Sequence, residues 1–444
     1  MQPDIILFHC HDLGRWLPTY GMPAVPAPQI SAFADQSIVF DDAHAAAPLC
    51  SPSRGALFTG MQPYRNGIQG LAHDGWRYRA GVSTLPERLE PLGYHTALIG
   101  LQHENVDPTV LGFAEYPGQG FLPRTAQVVE AASSWLGGLP PRSERKPIFL
   151  TVGVWEVHRP WPASDYAAAD PASVDVPGYL PDNADTRADI ADFYGSIAQL
   201  DAGFSVLLDA ISSTIGDENT MIVFTTDHGA AFPRAKSTLY DAGTGVALIV
   251  RPPTAWQVSP RRVPDLVIHQ DLLPTFLEIA GDAGPHDAEL EGRSLLSLIT
   301  TGHVDASQSE RMVFTSKTYH DSYDPKRAVR TSDYVYIRNY REGPKLELPA
   351  DLEASRTRQG FGDGHLAPRP QQELYDRRVD PLELVDVAGQ DAYADVQARL
   401  SAALHERLVA IADPVESEPI PRAPWRSRHV DDLPSLPSLP GSVA

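Results

Sequence analysis

The sequence predicts an α/β fold, in which a large, mostly parallel sheet is covered by helices on both faces and is followed by a smaller antiparallel α+β subdomain. Continuous apolar runs alternate with helical patterns early in the chain, and short strands joined by turns take over from about residue 310. A chain of 444 residues is long enough for one large and one smaller domain. We expect an α/β domain over 1–309, a subdomain over 310–413 and a tail over 414–444.

The large sheet is predicted from five apolar runs that are bounded by polar residues, a pattern typical of strands buried on both faces. These runs are DIILFHC (4–10), HTALIG (95–100), PIFLTVGV (147–154), TMIVFTT (220–226) and GVALIV (245–250). Helical patterns accompany them at 84–92, 124–136, 186–212 and 270–280. In open sheets of this kind, ligands bind at the carboxyl ends of the strands.

The segment PLCSPSRGALFTG (48–60) predicts a further helix, with Pro52 and Ser53 in its first turn and its end at Gly60. Cys50 then lies at the positive end of the helix dipole, with Arg54 one turn later. Both features lower the pKa of a thiol and favour anions. From these residues alone, a reactive thiol, an anion site and an ordinary buried cysteine all remain open.

The C-terminal subdomain is predicted from short strand-like segments and one helix. The strands are MVFTSK, RAVRTSDYVYIRN and QELYD, and the helix covers about 391–411. From Pro414 the chain is rich in Pro and Ser, which predicts an extended arm or a disordered end. Such an arm is compatible with a homo-oligomer.

The composition limits the function classes. With 57 acidic and 36 basic residues, the formal net charge is −21, which argues against a nucleic-acid partner or an anionic membrane surface. Two cysteines exclude a disulfide framework, and no apolar run approaches the ~20 residues of a membrane helix. The first strand begins at residue 4 without a basic flank or cleavage site, which predicts a cytoplasmic protein.

Ionisable or metal-ligating side chains follow four of the predicted strands. They are His11 and Asp12, then Gln102, His103 and Glu104, then Glu156 and His158, and finally Asp227 and His228. An acidic residue at a strand end is commonly a turn cap, but four such positions converging in a parallel sheet predict a site. Two carboxylates and an imidazole from Asp12, Asp227 and His228 suit a divalent cation, with the imidazole favouring Mn²⁺.

The segment CSPSRGALFTG meets every specified position of the motif C-x-P-S-R-x-x-x-T-G, and by this motif the chain resembles the type I sulfatases of the alkaline-phosphatase superfamily. GYHTALIG, TTDHG and HQDLLPTFLEIAG are similar to further segments of that family. The heparan N-sulfatase (sulfamidase) branch is most similar, through QPYRNGIQGL, FPRAKSTLYDAG and YHDSYDPKRAV. The resemblance implies an alkaline-phosphatase-like fold and a sulfuric ester hydrolase.

The resemblance also implies a nucleophile and a cofactor. Cys50 would be oxidised to Cα-formylglycine by a maturation enzyme that recognises Pro52 and Arg54. The hydrated aldehyde of this formylglycine would then attack sulfur. A divalent metal, Ca²⁺ or Mn²⁺, would be bound by the residues that match the family's ligands. These are Asp12, Cys50, Asp227 and His228.

The remaining family roles fall on four cationic or titratable residues. By the same resemblance, Arg54 holds the nucleophile and offsets charge, His103 removes its second proton, His158 serves the leaving group, and Lys236 binds sulfate. His320 and Asp321 are candidates for sugar recognition, and Arg234 and Gln102 for further substrate contacts.

The sequence departs from the family at two positions, and these departures leave the identity of the metal and the class of substrate undecided. His11 stands where most of the family has a second Asp, so it either ligates the metal or orients Asp12. Leu101 stands where a lysine contacts sulfate, so Arg234 or Arg159 would have to compensate. Three functions follow: a hydrolase that releases sulfate from small sulfate esters or sulfamates, with carbohydrates as the expected substrate class; a phosphonate monoester or phosphodiester hydrolase; and an inactive binding protein.

Overall fold

The large sheet of the predicted α/β domain has seven strands among the residues that the structure describes. The computed structural model describes residues 2–117, 123–282, 284, 290–303 and 311–423. The strands of this sheet are β1 (Asp4–Cys10), β2 (Ile38–His44), β3 (His95–Gly100), β4 (Ile148–Gly153), β5 (Thr220–Thr226), β6 (Leu248–Arg251) and β7 (Arg261–Ile268). They lie in the order β3-β4-β1-β5-β6-β2-β7. Each neighbouring pair is parallel except those of β6, which runs antiparallel to β5 and β2.

Helices pack on both faces of this sheet, as the sequence predicts. They are α1 (Pro28–Ala34), α2 (Cys50–Thr59), α3 (Pro63–Asn66), α4 (Leu85–Leu89), α5 (Thr125–Gly137), α6 (Ala184–Thr214), α7 (Asp241–Thr244), α8 (Leu272–Ile279) and α9 (Leu296–Thr300). Alternate residues of β1 enter different apolar clusters, Ile6 and Phe8 with α1, α5 and α6, and Ile5 and Leu7 with α2, α4 and α8. The period of two along the strand therefore divides the core into two layers.

The five predicted strands are all present, and β2 and β7 were not predicted. In β2 the apolar run is broken by Asp41 and Asp42, and β7 begins with two arginines and contains Pro264. A proline and charges are tolerated in β7 because it is an edge strand. Neither segment has the continuous apolar pattern of a strand buried on both faces.

Helix α2 begins at Cys50 and ends before Gly60, as predicted. Gly60 adopts a left-handed conformation with φ of 65°, and its N–H donates to the carbonyl of Ala56 at 2.9 Å. A left-handed cap of this kind favours glycine. All ten residues of α2 are buried, including Ser51 and Ser53, so the helix is embedded beneath the carboxyl edge of the sheet.

The C-terminal part forms a second, antiparallel sheet with order β11-β10-β9-β8. Its strands are β8 (Val313–Tyr319), β9 (Tyr323–Arg330), β10 (Tyr334–Asn339) and β11 (Gln372–Asp376). Three helices accompany it: α10 (Ala350–Glu353), α11 (Arg356–Phe361) and α12 (Ala394–Ala410). One face packs against α12, and the other packs against Leu239 and Tyr240 of the large domain. The predicted α+β subdomain is confirmed.

The proposed boundary between residues 309 and 310 lies outside the described residues, as does the tail from 424 onward. Within the first part of the tail, Val415 and Ile420 are buried against the antiparallel sheet. Tyr319 Oη donates to the carbonyl of Ile420 at 2.8 Å. In the described part of the chain, every helix is too short or too polar to span a bilayer.

Candidate active site

The centre of the site is formed where the neighbouring parallel strands β1 and β5 end. His11 and Asp12 follow β1, and Asp227 and His228 follow β5. The Asp12 N–H donates to Asp227 Oδ1 at 2.9 Å, and the His228 N–H donates to the same oxygen at 2.9 Å. Asp12 has a φ of 51°, a left-handed conformation that Asp tolerates better than most residues. These contacts hold the Asp227 carboxylate against the backbone of Asp12 and so bring the two strand ends together.

Five side chains converge there: His11, Asp12, Cys50, Asp227 and His228. All five are buried, and one ligand atom from each lies within 4.8 Å of the others. His11 Nδ1 lies 3.0 Å from Asp12 Oδ1 and 3.1 Å from Asp227 Oδ2, and His228 Nε2 lies 3.0 Å from Asp12 Oδ1. Two convergent carboxylates with imidazole nitrogens between them are a donor set that fits a divalent cation.

The cluster strongly perturbs its own titratable groups. Burial lowers the pKa of a histidine, but Asp227, Cys50 and Asp12 outweigh it and raise the pKa of His11 to about 9. The pKa of His228 is raised in the same way, against burial, by Asp227 and Asp12. Burial opposes a thiolate at Cys50, but His11, His103 and His228 outweigh it and lower the pKa of the thiol well below its usual value. The pocket therefore stabilises a negative charge on residue 50.

Arg54 reaches the cluster from one turn along α2. Its Nη2 donates to Asp227 Oδ2 at 3.0 Å and to the Cys10 carbonyl at 3.2 Å, and its Nη1 donates to His9 Nδ1 at 2.5 Å. Burial, followed by the charge of Arg54, lowers the pKa of His9 well below its usual value, so His9 is a neutral acceptor. Arg54 thus holds and neutralises one of the converging carboxylates.

A second histidine pair lies on the other side of Cys50. The His103 side chain hydrogen-bonds to the Cys50 thiol, and the His103 and His73 rings stack with centroids 5.1 Å apart. His73 Nδ1 lies 2.9 Å from His103 Nε2. Burial lowers the pKa of His103, and burial followed by His103 lowers the pKa of His73 to about 4. A neutral His103 ring in contact with residue 50 can accept a proton from it, and His73 contacts His103 rather than residue 50.

Lys236 connects the cluster to the mouth of the site. Its Nζ donates to Asp12 Oδ2 at 2.7 Å, to His158 Nε2 at 3.2 Å and to Asp351 Oδ2 at 2.8 Å. Burial opposes its charge, but Asp12 and Asp351 outweigh burial and raise the pKa of Lys236 well above its usual value. Burial and Lys236 lower the pKa of His158 to about 4. Of Lys236 and His158, the lysine therefore carries the positive charge and the histidine is neutral.

The four substrate-binding candidates occupy different environments. His320 Nδ1 lies 2.9 Å from Asp321 Oδ1, and Asp321 Oδ2 accepts from the Ala350 N–H at 2.6 Å, next to Asp351. Gln102 uses both ends of its amide within its own loop, donating to the Asn105 carbonyl at 2.6 Å. The Arg234 guanidinium hydrogen-bonds to the Glu383 carbonyl and lies 3.9 Å from the centre of the Tyr240 ring.

The two arginines that could replace the cation missing at Leu101 have other partners. Arg159 forms a two-fold ion pair with Asp189, at 2.8 and 2.6 Å, and Arg234 is held as described above. Leu101 itself is buried, with 1% of its surface exposed. Among the lysines and arginines considered for this site, Arg54 and Lys236 therefore remain next to the cluster, whereas the resemblance implies one further lysine at position 101.

Sequence reasoning assigned no role to three residues that contact the site: His9, His73 and Asp351. His9 is the last residue but one of β1, and nothing in the sequence around His73 links it to His103, 30 positions later. Asp351 belongs to PADLE, a segment without a motif, and lies 115 positions from Lys236 in sequence. Only the tertiary contact reveals it.

A family model described as Sulfatase matches residues 5–282 of the chain. An ulvan-active sulfatase of Formosa agariphila is 28% identical over 413 residues, covering 90% of this chain and 78% of that protein. The human N-sulphoglucosamine sulphohydrolase is 27% identical over 454 residues, covering 88% and 87%.

Solved structures share the fold. A structure from work on glycosaminoglycan metabolism by Bacteroides thetaiotaomicron aligns with a TM-score of 0.74 at 19% identity, covering 96% of this chain and 100% of that chain. Another, in complex with its substrate D-glucosamine-2-N,6-O-disulfate, aligns with a TM-score of 0.73 at 19% identity, covering 94% and 100%.

Proposed function

The chain belongs to the sulfatase family, and from this premise we propose that it releases inorganic sulfate from a small sulfated or N-sulfated carbohydrate, with residue 50 as a Cα-formylglycine beside a divalent metal. One observation carries the proposal: Cys50 Sγ lies 3.5 Å from His228 Nε2, inside the cluster that also contains Asp12 and Asp227. A nucleophile and a candidate metal site are thus built from the same five buried side chains.

The metal would be held by Asp12, Asp227, His228 and residue 50, with His11 as a further ligand. When bound, it supplies Lewis-acid activation of the nucleophile and neutralises charge on the transferred group. His11 Nδ1 lies 3.0–3.1 Å from the carboxylate oxygens that face this point. A second imidazole in place of a carboxylate favours Mn²⁺ over Ca²⁺. The maturation enzyme that forms formylglycine would be a required partner.

The chain's own residues divide the remaining work. Arg54 keeps Asp227 in place, and the N-terminus of α2 favours negative charge at residue 50. His103, in hydrogen-bond contact with residue 50, is the candidate base for release of sulfate. Since His158 Nδ1 faces the Arg159 carbonyl at 2.5 Å, it carries a proton there, and Nε2 accepts from Lys236. Because His158 Nε2 is then unprotonated, the group that can donate a proton to the leaving group is the Lys236 ammonium.

The substrate class is inferred from the relatives and from the mouth of the site. The human relative is named for N-sulphoglucosamine, and one structural neighbour was solved with a sulfated glucosamine. At the mouth, His320 and Asp321 offer the hydrogen-bonding groups that a sugar requires. These features support a sulfated amino sugar as the first substrate to test.

The test is a substrate panel on protein matured in the presence of the formylglycine-forming enzyme. We expect sulfate release from N-sulfoglucosamine or p-nitrophenyl sulfate to exceed turnover of phenylphosphonate and bis-phenyl phosphate. Cys50→Ala, with an unchanged melting temperature, should lack all turnover. Sulfate release at least tenfold below phosphonate or diester turnover would assign the chain to the phosphonate and phosphodiester hydrolases. Leu101, which stands in place of a lysine that contacts sulfate, is the reason to test this alternative. An unmodified Cys50 in the peptide mass spectrum, with no turnover, would favour a binding protein.

A further inference from the structure

Lys236 has a saturated set of hydrogen bonds in this structure. An ammonium has three N–H donors, and Asp12, His158 and Asp351 take all three at 2.7, 3.2 and 2.8 Å. An anionic group that binds to Lys236 must therefore replace one of these acceptors. The identity of the acceptor that leaves decides what else the substrate will meet.

Asp351 is the acceptor that can give way. Asp12 is fully buried and belongs to the candidate metal cluster. His158 is held on its other side by the Arg159 carbonyl at 2.5 Å. Asp351 lies on the four-residue helix α10, and 23% of its side chain is exposed.

The carboxylate of Asp351 is also incompletely used. Its Oδ2 pairs with Lys236, whereas its Oδ1 is buried and has no hydrogen-bond partner among the described residues. A buried acceptor without a donor costs free energy unless a ligand or water supplies one. The Oδ1 oxygen of Asp351 is therefore available to accept a hydrogen bond from a ligand at this position.

Neighbouring contacts hold Asp351 at the mouth of the site. The Ala350 N–H, one residue before it, donates to Asp321 Oδ2 at 2.6 Å, and Asp321 Oδ1 is paired with His320. Lys236 and His158 outweigh burial and lower the pKa of Asp351, so the group is a carboxylate. His320 and Asp321 thus position the short helix α10, and the negative charge at the mouth of the site beside Lys236 belongs to Asp351.

We infer that Asp351 is a specificity-determining residue. It accepts a hydrogen bond from a hydroxyl or ammonium group that the substrate carries on a ring atom next to the cleaved bond. The inference rests on the proposed function. As the sulfate or sulfamate group takes the place of Asp351 on Lys236, the carboxylate turns to the adjoining part of the ring. The same charge disfavours substrates with a second anionic group at that position, so recognition includes a repulsive element.

The experiment compares two sulfamates that differ in ring hydroxyls. N-sulfoglucosamine has neighbouring hydroxyl donors, whereas cyclohexylsulfamate has the same cleaved bond and none. We expect Asp351→Ala to lower kcat/KM for N-sulfoglucosamine by about 10- to 100-fold, the effect of losing a charge-assisted hydrogen bond. For cyclohexylsulfamate, kcat/KM should be unchanged or raised, because the substrate no longer competes with Asp351 for Lys236. Glucose 3-sulfate and cyclohexyl sulfate give the same comparison for an enzyme that cleaves only esters.

The matched control is Glu353→Ala, which removes one negative charge from the same helix. Glu353 is half exposed and pairs with Arg358 at 3.1 Å, so this variant should match wild type on both substrates. Equal losses on the two sulfamates in Asp351→Ala would mean that Asp351 acts through Lys236, and no loss on either would mean that it does not meet the substrate. Both results overturn the inference.

Failure of the proposed function has a different outcome. If the wild-type protein cleaves none of the four substrates, the proposed function is overturned, and the inference falls with it. If Asp351→Ala does not fold, as judged by its melting curve, Asp351→Asn replaces it. That variant keeps the shape and one acceptor, so the same selective loss is expected to be smaller in size.

Discussion

We expect Asp189→Asn to destabilise the protein by about 3–5 kcal/mol, because it breaks a buried ion pair next to His158. Asp189 lies on α6 and accepts from Arg159 at 2.8 and 2.6 Å, and from the N–H and Oγ1 of Thr357 at 3.1 and 2.7 Å. Both partners of the ion pair are buried. The amide retains one acceptor but removes the charge, which leaves a buried guanidinium uncompensated.

The same substitution should impair catalysis. Through Asp189, α6 is tied to the residue after His158 and to α11, which follows the short helix with Asp351. A displacement of about 1 Å in an active site can reduce the rate about 100-fold. We therefore expect kcat/KM on the accepted sulfated substrate to fall by about 10- to 100-fold, with the sulfate-release assay as the measurement.

Urea unfolding, followed by tryptophan fluorescence, measures the stability term. With a slope of about 3 kcal/mol per molar urea, the expected loss lowers the midpoint by about 1 M or more. The matched control is Asp182→Asn, which breaks an equivalent two-fold pair with Arg187, at 2.5 and 2.7 Å, on the exposed surface. Its midpoint should match wild type, because exposed pairs are screened by water. Equal shifts in the two variants would refute the argument from burial.

The pH dependence gives a second check on the same pair. Burial raises the pKa of a carboxyl group, but Arg159 and Thr357 outweigh it and hold the pKa of Asp189 below its usual value. An unfolded Asp titrates near about 3.9, so the stabilisation is present above that pH and is lost as the pH falls below it. The gap between wild type and Asp189→Asn should shrink below about pH 4. A gap of constant size would contradict the ionic origin.

Three further perturbations test the site. His103→Ala should allow one rapid, stoichiometric release of p-nitrophenol from p-nitrophenyl sulfate while sulfate release lags; parallel release of both products would argue against its role as a base. Chelation should lower the melting temperature, and Mn²⁺ or Ca²⁺ should restore it, because a ligand that binds the folded state stabilises it; indifference to all three additions would argue against the metal site. Gly153→Ala should lower both stability and kcat, since a Cβ there would lie 2.1 Å from the Leu101 carbonyl and 2.4 Å from His9 Cε1. Gly137→Ala, where a Cβ meets nothing within 4 Å, should stabilise α5 slightly; equal effects of the two would remove the steric argument.

The fold was predictable because its central strands have a strong local pattern. The limits of β1, β3 and β5 coincide with their apolar runs, and Gly60 ends α2 where the motif predicts. The resemblance to type I sulfatases is confirmed by the family match over residues 5–282. Strands β2 and β7 were missed because charged residues and a proline interrupt their pattern, which only the neighbouring strands compensate.

The candidate site was predictable to the extent that it follows the strand ends. His11, Asp12, Asp227 and His228 converge because β1 and β5 are adjacent and parallel. The contact between Lys236 and Asp351 could not be read from the sequence, because it joins the large domain to a helix of the subdomain. Gln102 and Arg234 were predicted to contact the substrate. In the structure, Gln102 hydrogen-bonds within its own loop, and Arg234 hydrogen-bonds to the Glu383 carbonyl.

The charge balance of the site explains how so acidic a protein can bind an anionic substrate. Around the nucleophile, Asp12, Asp227 and Asp351 face Arg54 and Lys236, and the raised pKa values of His11 and His228 add positive charge while both imidazoles carry protons. Ligation of a metal by these imidazoles would require them to lose those protons. A divalent cation on Asp12 and Asp227 would then supply positive charge in their place, and displacement of Asp351 would free Lys236 for the anion. Because Asp12 belongs to the cluster and also pairs with Lys236, we expect metal binding and substrate recognition to be coupled through this contact.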